Sequence, residues 1–169
     1  MVRLDNIIQA LSMKCPLNRC RFTDLCLRIS ERCLNVISFR DVYTSKDAAE
    51  ILYELLAERT PEQNISHKRM PSFKEHLDFL ARRPYQNWYL IDDADGVTVG
   101  SIYLTFEREI GLFLFQSAQR KGYGSIALAK MKELHPGPLF ANISPRNKVS
   151  QLFFLNHGFE LIQHTFRLG

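Results

Sequence analysis

The residues with the clearest chemical potential are Gln119-Arg120-Lys121-Gly122-Tyr123-Gly124, which stand between a strand-like run and a helical pattern. Glycines at 122 and 124 let the backbone come close to a ligand, and the unpaired N–H groups of a helix start point outward with the positive end of the helix dipole behind them. Arg120 and Lys121 add mobile positive charge, so the six residues together suit a pyrophosphate. A short glycine pattern is also a common plain turn, and these residues alone leave both readings open.

The elements around this stretch must come from one domain. The chain has 169 residues, of which 46% are apolar, 24% charged and 11% aromatic, the usage of an ordinary globular protein rather than a disordered one. No run of about 18 apolar residues occurs, which excludes a membrane-spanning helix. The net charge of +4 is too small to imply nucleic acid. Residues 1–36 hold six basic side chains against three acidic ones, so most of the excess sits there. The short apolar stretch Ile7 to Leu11 gives way to Lys14, Pro16 and Arg19, which is unlike a secretory signal and places the protein in the cytoplasm. Cys15, Cys20, Cys26 and Cys33 have no C-x-x-C pair among them and no zinc-knuckle spacing, so they read as structural thiols; in a helix starting near Thr23, Leu25, Cys26, Ile29 and Cys33 would share one face.

From residue 36 the pattern is regular. Alternation over Val36 to Val42 predicts a strand. Ala48, Ile51, Leu52, Leu55 and Leu56 then predict a helix capped by Ser45 and stopped by Pro61. Ser72 and Glu75 have the spacing of a capping box ahead of Phe73, Leu77 and Leu80. Runs at Trp88 to Ile91, Val97 to Phe106 and Ile110 to Phe115, separated by Asp95-Gly96 and Glu107-Arg108, predict an antiparallel meander. A helix with Ala127, Met131 and Leu134 on one face follows the loop and stops at His135-Pro136-Gly137. A short strand over Leu139 to Ile143, a helix with Val149, Leu152 and Phe153 inward, and a last strand over Phe159 to Arg167 complete the chain. This order predicts an α/β (α+β) domain over 36–169, preceded by a helical extension over 1–35.

Gln119 to Gly124 resembles the Q/R-x-x-G-x-G/A signature of the GNAT superfamily of acyl-CoA-dependent N-acetyltransferases. Asn147-x-x-Ser150-x-x-Phe153-Phe154-x-x-x-Gly158-Phe159 is similar to the same family's Asn-x-x-Ala-x-x-Leu-Tyr-x-x-x-Gly-Phe, and the two blocks lie at the family's usual separation. The resemblance covers residues 36–169. It implies a mixed, mostly antiparallel sheet flanked by helices, with a splayed parallel strand pair forming a cleft for acetyl-CoA. Carried over by position, Gln119, Arg120, Lys121, Gly122, Tyr123 and Gly124 would hold the pyrophosphate, main-chain groups of Leu114, Phe115 and Gln116 would pair with the pantetheine arm, and Asn147 would reach the cofactor from the last helix. No metal is needed.

The implied reaction is direct attack of a neutral amine on the thioester through a tetrahedral intermediate. A primary amine of pKa about 10.4 is mostly protonated at neutral pH, so a carboxylate base is expected. Glu109, at the head of the strand entering the loop, resembles the position from which several family members offer a glutamate; the alternative is an ordinary turn glutamate. The family's usual tyrosine falls at Phe154, which has no hydroxyl, leaving water or Ser150 to protonate the thiolate. A thiol of pKa about 8.5 is a tolerable leaving group.

The polar segment from Gln63 to Met70, with Asn64 and His67, is the expected acceptor wall, suited to a hydroxylated amine. Phe73 to Leu80 and Trp88 to Ile91 resemble family members that acetylate nucleotide-linked amino sugars, and also the branch that acetylates ribosomal protein N-termini. His76 shares a face with Phe73, Leu77 and Leu80, as a buried hydrogen-bonded histidine would. The expected activity is N-acetylation of a small polar amine such as an amino sugar, by a monomer or homodimer with no nucleic-acid or membrane partner. The alternatives are a protein N-terminal acetyltransferase or a non-catalytic acyl-CoA-binding module.

Overall fold

The computed structural model describes residues 36–61 and 69–166. The extension with its four cysteines, and the segment holding Asn64 and His67, lie outside them. The described elements are β1 (Ser38–Asp41), α1 (Ala48–Ala57), α2 (Phe73–Ala81), β2 (Asn87–Asp92), β3 (Thr98–Leu104), β4 (Ile110–Leu114), a 3-10 turn (Gln116–Ala118), α3 (Tyr123–Leu134) and α4 (Lys148–Asn156). The strands form one antiparallel sheet in the order β1-β2-β3-β4. Gly96 and Arg108 take the left-handed backbone that reverses the chain between them, with φ of 78° and 68°.

Alternation along the strands divides the side chains between two cores. Ile91, Val99, Ile102, Leu104 and Ile110 face Ala127, Leu128 and Met131 of α3 and Phe154 of α4. Trp88 and Leu90 face the opposite way, onto Ala48, Leu52 and Leu55 of α1. The result is a mixed α/β sandwich in which β4, at the end of the sheet, passes between both helical layers. Arg40 of β1 fastens the far edge by reaching Asp92 of β2 at 2.8 Å and Asp47 ahead of α1.

The capping box expected at α2 is present: Ser72 Oγ accepts the Glu75 N–H and Glu75 Oε2 accepts the Ser72 N–H at 2.7 Å. Ser72→Ala should therefore lower stability by about 1 kcal/mol, a drop of about 2–4 °C in a thermal melt, with the fold unchanged. His76 is buried on this helix and its Nε2–H donates to the Ala49 carbonyl at 3.0 Å, which holds α2 on α1. Burial lowers its pKa and favours the neutral ring.

Four expectations are corrected. Ser45 does not cap α1: its hydroxyl donates to the Asp41 carbonyl at 2.6 Å, and the helix begins after Asp47. Val149 and Leu152 of α4 are exposed at 82% and 60%, because the inward stripe runs through Ser150, Phe153, Phe154 and His157 instead. Leu139 to Ile143 shrinks to a single parallel bridge between Phe140 and Glu109. Phe159 to Phe166 carries no strand: Phe159 folds back so that its N–H meets the Phe154 carbonyl, and Leu161 and Ile162 stay exposed. Alternation alone does not hold a strand, which needs a neighbour to take its backbone hydrogen bonds.

Candidate functional site

The site is built on β4. Thr105 N–H reaches the Glu109 carbonyl at 2.8 Å and Phe115 N–H reaches the Val99 carbonyl at 3.0 Å. With the register Tyr103↔Gly111 and Ser101↔Phe113, the odd-numbered residues of β4 bond to β3, so the N–H groups of residues 110, 112 and 114 point to the other edge. That of Ile110 is taken by the Phe140 carbonyl at 2.7 Å, and Phe140 N–H returns to the Arg108 carbonyl at 2.9 Å. Beyond this bridge the two segments part. No hydrogen bond occupies the outward N–H of Leu112 or Leu114 among the described residues.

Arg108 fixes where the parting begins. Its guanidinium donates to the carbonyls of His135, Pro136 and Pro138 at 2.9–3.0 Å, fastening the chain after α3 to the β3–β4 turn. Sequence reasoning missed this role, since nothing local to Glu107-Arg108 says that the end of α3 returns there. Glu109 stands at this vertex, half-buried, its N–H held by Thr105 Oγ1 at 3.1 Å.

At the other end of β4 the chain turns through Gln116–Ala118 and enters α3 by a left-handed Gly122, with φ 88°. Arg120 is also left-handed, with φ 62°. Such reversals set successive N–H groups around one concave spot, a nest for an anion. The N–H groups of Arg120, Gly122, Tyr123 and Gly124 have no acceptor among the described residues. Gly124 is buried where α3 meets α4 and β4: a Cβ there would lie 3.3 Å from Phe153 and 3.5 Å from Leu112. His157 closes the contact, bridging the Phe153 carbonyl at 2.7 Å and Ser125 Oγ at 2.9 Å.

The other expected residues are placed as follows. Phe115 N–H is committed to β3 and faces away from the cleft. Gln116 N–H is held by the Glu58 carboxylate at 2.7 Å. Glu58, Thr60, Gln116, Gln119 and Arg120 line a groove of about 430 Å³ beside the α3 entrance. Gln119 Nε2 donates to the Leu114 carbonyl at 3.2 Å. Asn147 caps α4, its Oδ1 accepting the Ser150 N–H at 3.0 Å, while its amide NH₂ has no acceptor among the described residues. Phe154 is core, packed edge-on to Phe153 and Phe159.

On the α1/α2 face of β4 lies a polar cluster that sequence reasoning also missed. Tyr103 extends across the strand over Gly111, where a Cβ would overlap its ring. Its ring stacks on Tyr85 at 3.8 Å, and burial, aided by the nearby Glu109 carboxylate, raises its pKa. Arg59 lies beside both tyrosines, its guanidinium over the ring of Phe113.

These parts fit an acyl-CoA ester: an anion nest for a pyrophosphate, and an open strand edge whose N–H groups match an amide-bearing arm. Among the described residues no group of three or more His, Cys, Asp or Glu side chains could hold a metal, and no helix is long and apolar enough to cross a membrane.

Comparison with known proteins agrees with the geometry. The model of the acetyltransferase (GNAT) family matches residues 49–159. No curated protein matches the sequence. Among solved structures, the chain is similar to a spermidine N-acetyltransferase from Vibrio cholerae in complex with CoA and spermine, at 15% identity and a TM-score of 0.63 over 76% of this chain and 83% of that one. It is also similar to an acetyltransferase from Thermus thermophilus, at 17% identity and a TM-score of 0.61 over 77% and 90%. A GNAT-family acetyltransferase from Staphylococcus aureus matches at 19% identity and a TM-score of 0.56 over 76% and 87%.

Proposed function

Because the chain belongs to the acetyltransferase (GNAT) family, we propose that it moves acetyl from acetyl-CoA to the primary amine of a small polar acceptor, such as an amino sugar, in the cytoplasm. The observation that carries this reading is the adjacency of two unpaired donor sets: the N–H groups of Arg120, Gly122, Tyr123 and Gly124, and those of Leu112 and Leu114. Acetyl-CoA supplies the thioester acyl group.

The nest at Arg120 to Gly124 would hold the pyrophosphate against the positive end of α3. Leu114 N–H would bind the pantetheine arm, and Leu112 N–H, nearer the vertex, would stabilise negative charge on the acyl oxygen. Gln116 N–H joins them once Glu58 swings aside. Glu109 at the vertex would take the proton from the acceptor ammonium. Asn147 would donate its free amide N–H to the cofactor, and Ser150, half-buried one turn into α4, would serve the departing thiolate. Release of CoA from acetyl-CoA with a panel of amines, read by a thiol reagent, tests the activity. No release with any amine would leave only a CoA-binding module.

Asn64 and His67, in the connection between α1 and α2, would form one wall of the acceptor pocket. Changing either to Ala should raise the acceptor KM several-fold, about 5- to 100-fold for the loss of one buried polar contact, with the KM for acetyl-CoA unchanged. Steady-state kinetics in both substrates checks this. Equal acceptor KM values in variant and parent would remove these residues from the pocket.

A further inference from the structure

Arg59, two residues beyond the end of α1, has its guanidinium carbon 3.4 Å from the centroid of the Phe113 ring. Its Nε is buried without a hydrogen-bond partner, and none of the ion pairs among the described residues involves it. The neighbouring acid does not compensate it, because Glu58 is turned onto the Gln116 N–H. Only the phenol groups of Tyr103 and Tyr85 favour its charge, against burial that opposes it. An arginine stays protonated in such surroundings. The protein therefore holds a largely buried cation against β4, the strand proposed to bind the cofactor, with no ion-pair partner among the described residues.

Its place relative to the cleft gives this cation a use. The opposite face of β4 is filled, since Leu112 and Leu114 pack into the core under α3 and α4. The other face carries Phe113, Tyr103 and Arg59, all half-buried, with the Glu109 carboxylate near Tyr103, so an acceptor reaching Glu109 from that side meets Arg59. Stacking on Phe113 occupies a flat face of the guanidinium and leaves its N–H edge, the edge that pairs in two-point fashion with a carboxylate or phosphate. The same unpaired charge repels a polycation.

We infer that Arg59 is the anion-binding group of the acceptor subsite, and that the acceptor is an amine carrying a carboxylate or phosphate, unlike the spermine bound by the Vibrio cholerae relative. This rests on the acetyltransferase reading.

The test compares matched amines with the full chain and acetyl-CoA: phosphoethanolamine against ethanolamine, β-alanine against propylamine, and spermine. One anionic member should exceed its neutral partner in kcat/KM by about tenfold or more, and the pair that shows it separates phosphate from carboxylate. Arg59→Gln should abolish the preference through the acceptor KM, bringing the anionic and neutral members of the pair to equal kcat/KM, with the acetyl-CoA KM unchanged. Arg59→Lys, which keeps the charge and loses the planar edge, should reduce the preference, and it serves if the glutamine variant is unstable. Equal rates within both pairs, a preference for spermine, or a preference that survives both variants would overturn the inference. If no amine releases CoA, the transferase reading fails and binding decides the subsite. With CoA saturating, inorganic phosphate should raise Tm over chloride at equal ionic strength in the parent and not in Arg59→Gln; equal melting in the two salts overturns the inference.

Discussion

Gly122→Val should leave a folded protein whose Tm no longer responds to acetyl-CoA. Gly122 has φ 88°, a left-handed conformation that a β-branched residue resists most strongly. To keep its own backbone allowed, valine must turn the peptide before α3 and scatter the nest formed with Arg120. In the parent, ligand at about 100 times its Kd adds about 2.7 kcal/mol, an increase in Tm of about 5–10 °C for a chain of this size. Circular dichroism without ligand checks that the fold survives, which is expected because Gly122 is exposed and its side of the loop supports no core. A full ligand-induced shift in the folded variant would mean that acetyl-CoA is held elsewhere.

Glu109→Gln should lower turnover about 100-fold near neutral pH without weakening acetyl-CoA binding. The substitution keeps the main-chain bonds of Glu109 to Thr105, and the bridge to Phe140 is carried by the backbone of Arg108 and Ile110, so the vertex itself should stand. The sign of the pH effect follows from the acceptor. Below its pKa of about 10.4 the amine is protonated, and each unit of rising pH increases the free-base fraction tenfold, so the need for a base falls and the deficit of the variant shrinks. A pH–rate profile of both proteins reads this. Equal turnover at every pH would assign proton removal to another group, and a deficit constant with pH would assign Glu109 a positioning role.

What was legible in the sequence was what neighbouring residues decide among themselves. The helical stripe of Ala48, Leu52 and Leu55, the reciprocal bonds of Ser72 and Glu75, and the reversal at Asp95-Gly96 each depend on residues a few positions apart. The left-handed entrance to α3 at Gly122 was legible for the same reason, because a glycine at a helix entrance is a local event. Tertiary partners were not legible. The alternation of Phe159 to Phe166 has the period of a strand, yet no neighbour among the described residues pairs with it. Arg59 and Tyr103 look like a helix terminus and a strand aromatic; only the crossing of Tyr103 over Gly111 and the stacking of Arg59 on Phe113 make them one cluster. Glu58 likewise gave no sign of reaching Gln116 across the fold.

The splay beyond Phe140 also bears on solubility. Where the two segments part, β4 becomes an edge strand, and the N–H groups of Leu112 and Leu114 offer a backbone pattern that another extended chain could extend. Proteins usually blunt such edges with charge, proline or a bulge, and IGLFL, the sequence of β4, has none of these in its side chains. The protection comes from outside the strand: the bridge at Phe140 seals one end, and the Glu58 carboxylate over Gln116 closes the other. What is left open between them is about two residues of ladder. An opening kept that short gives a second protein strand too little backbone to hold, while the proposed slender amide arm of acetyl-CoA would need no more.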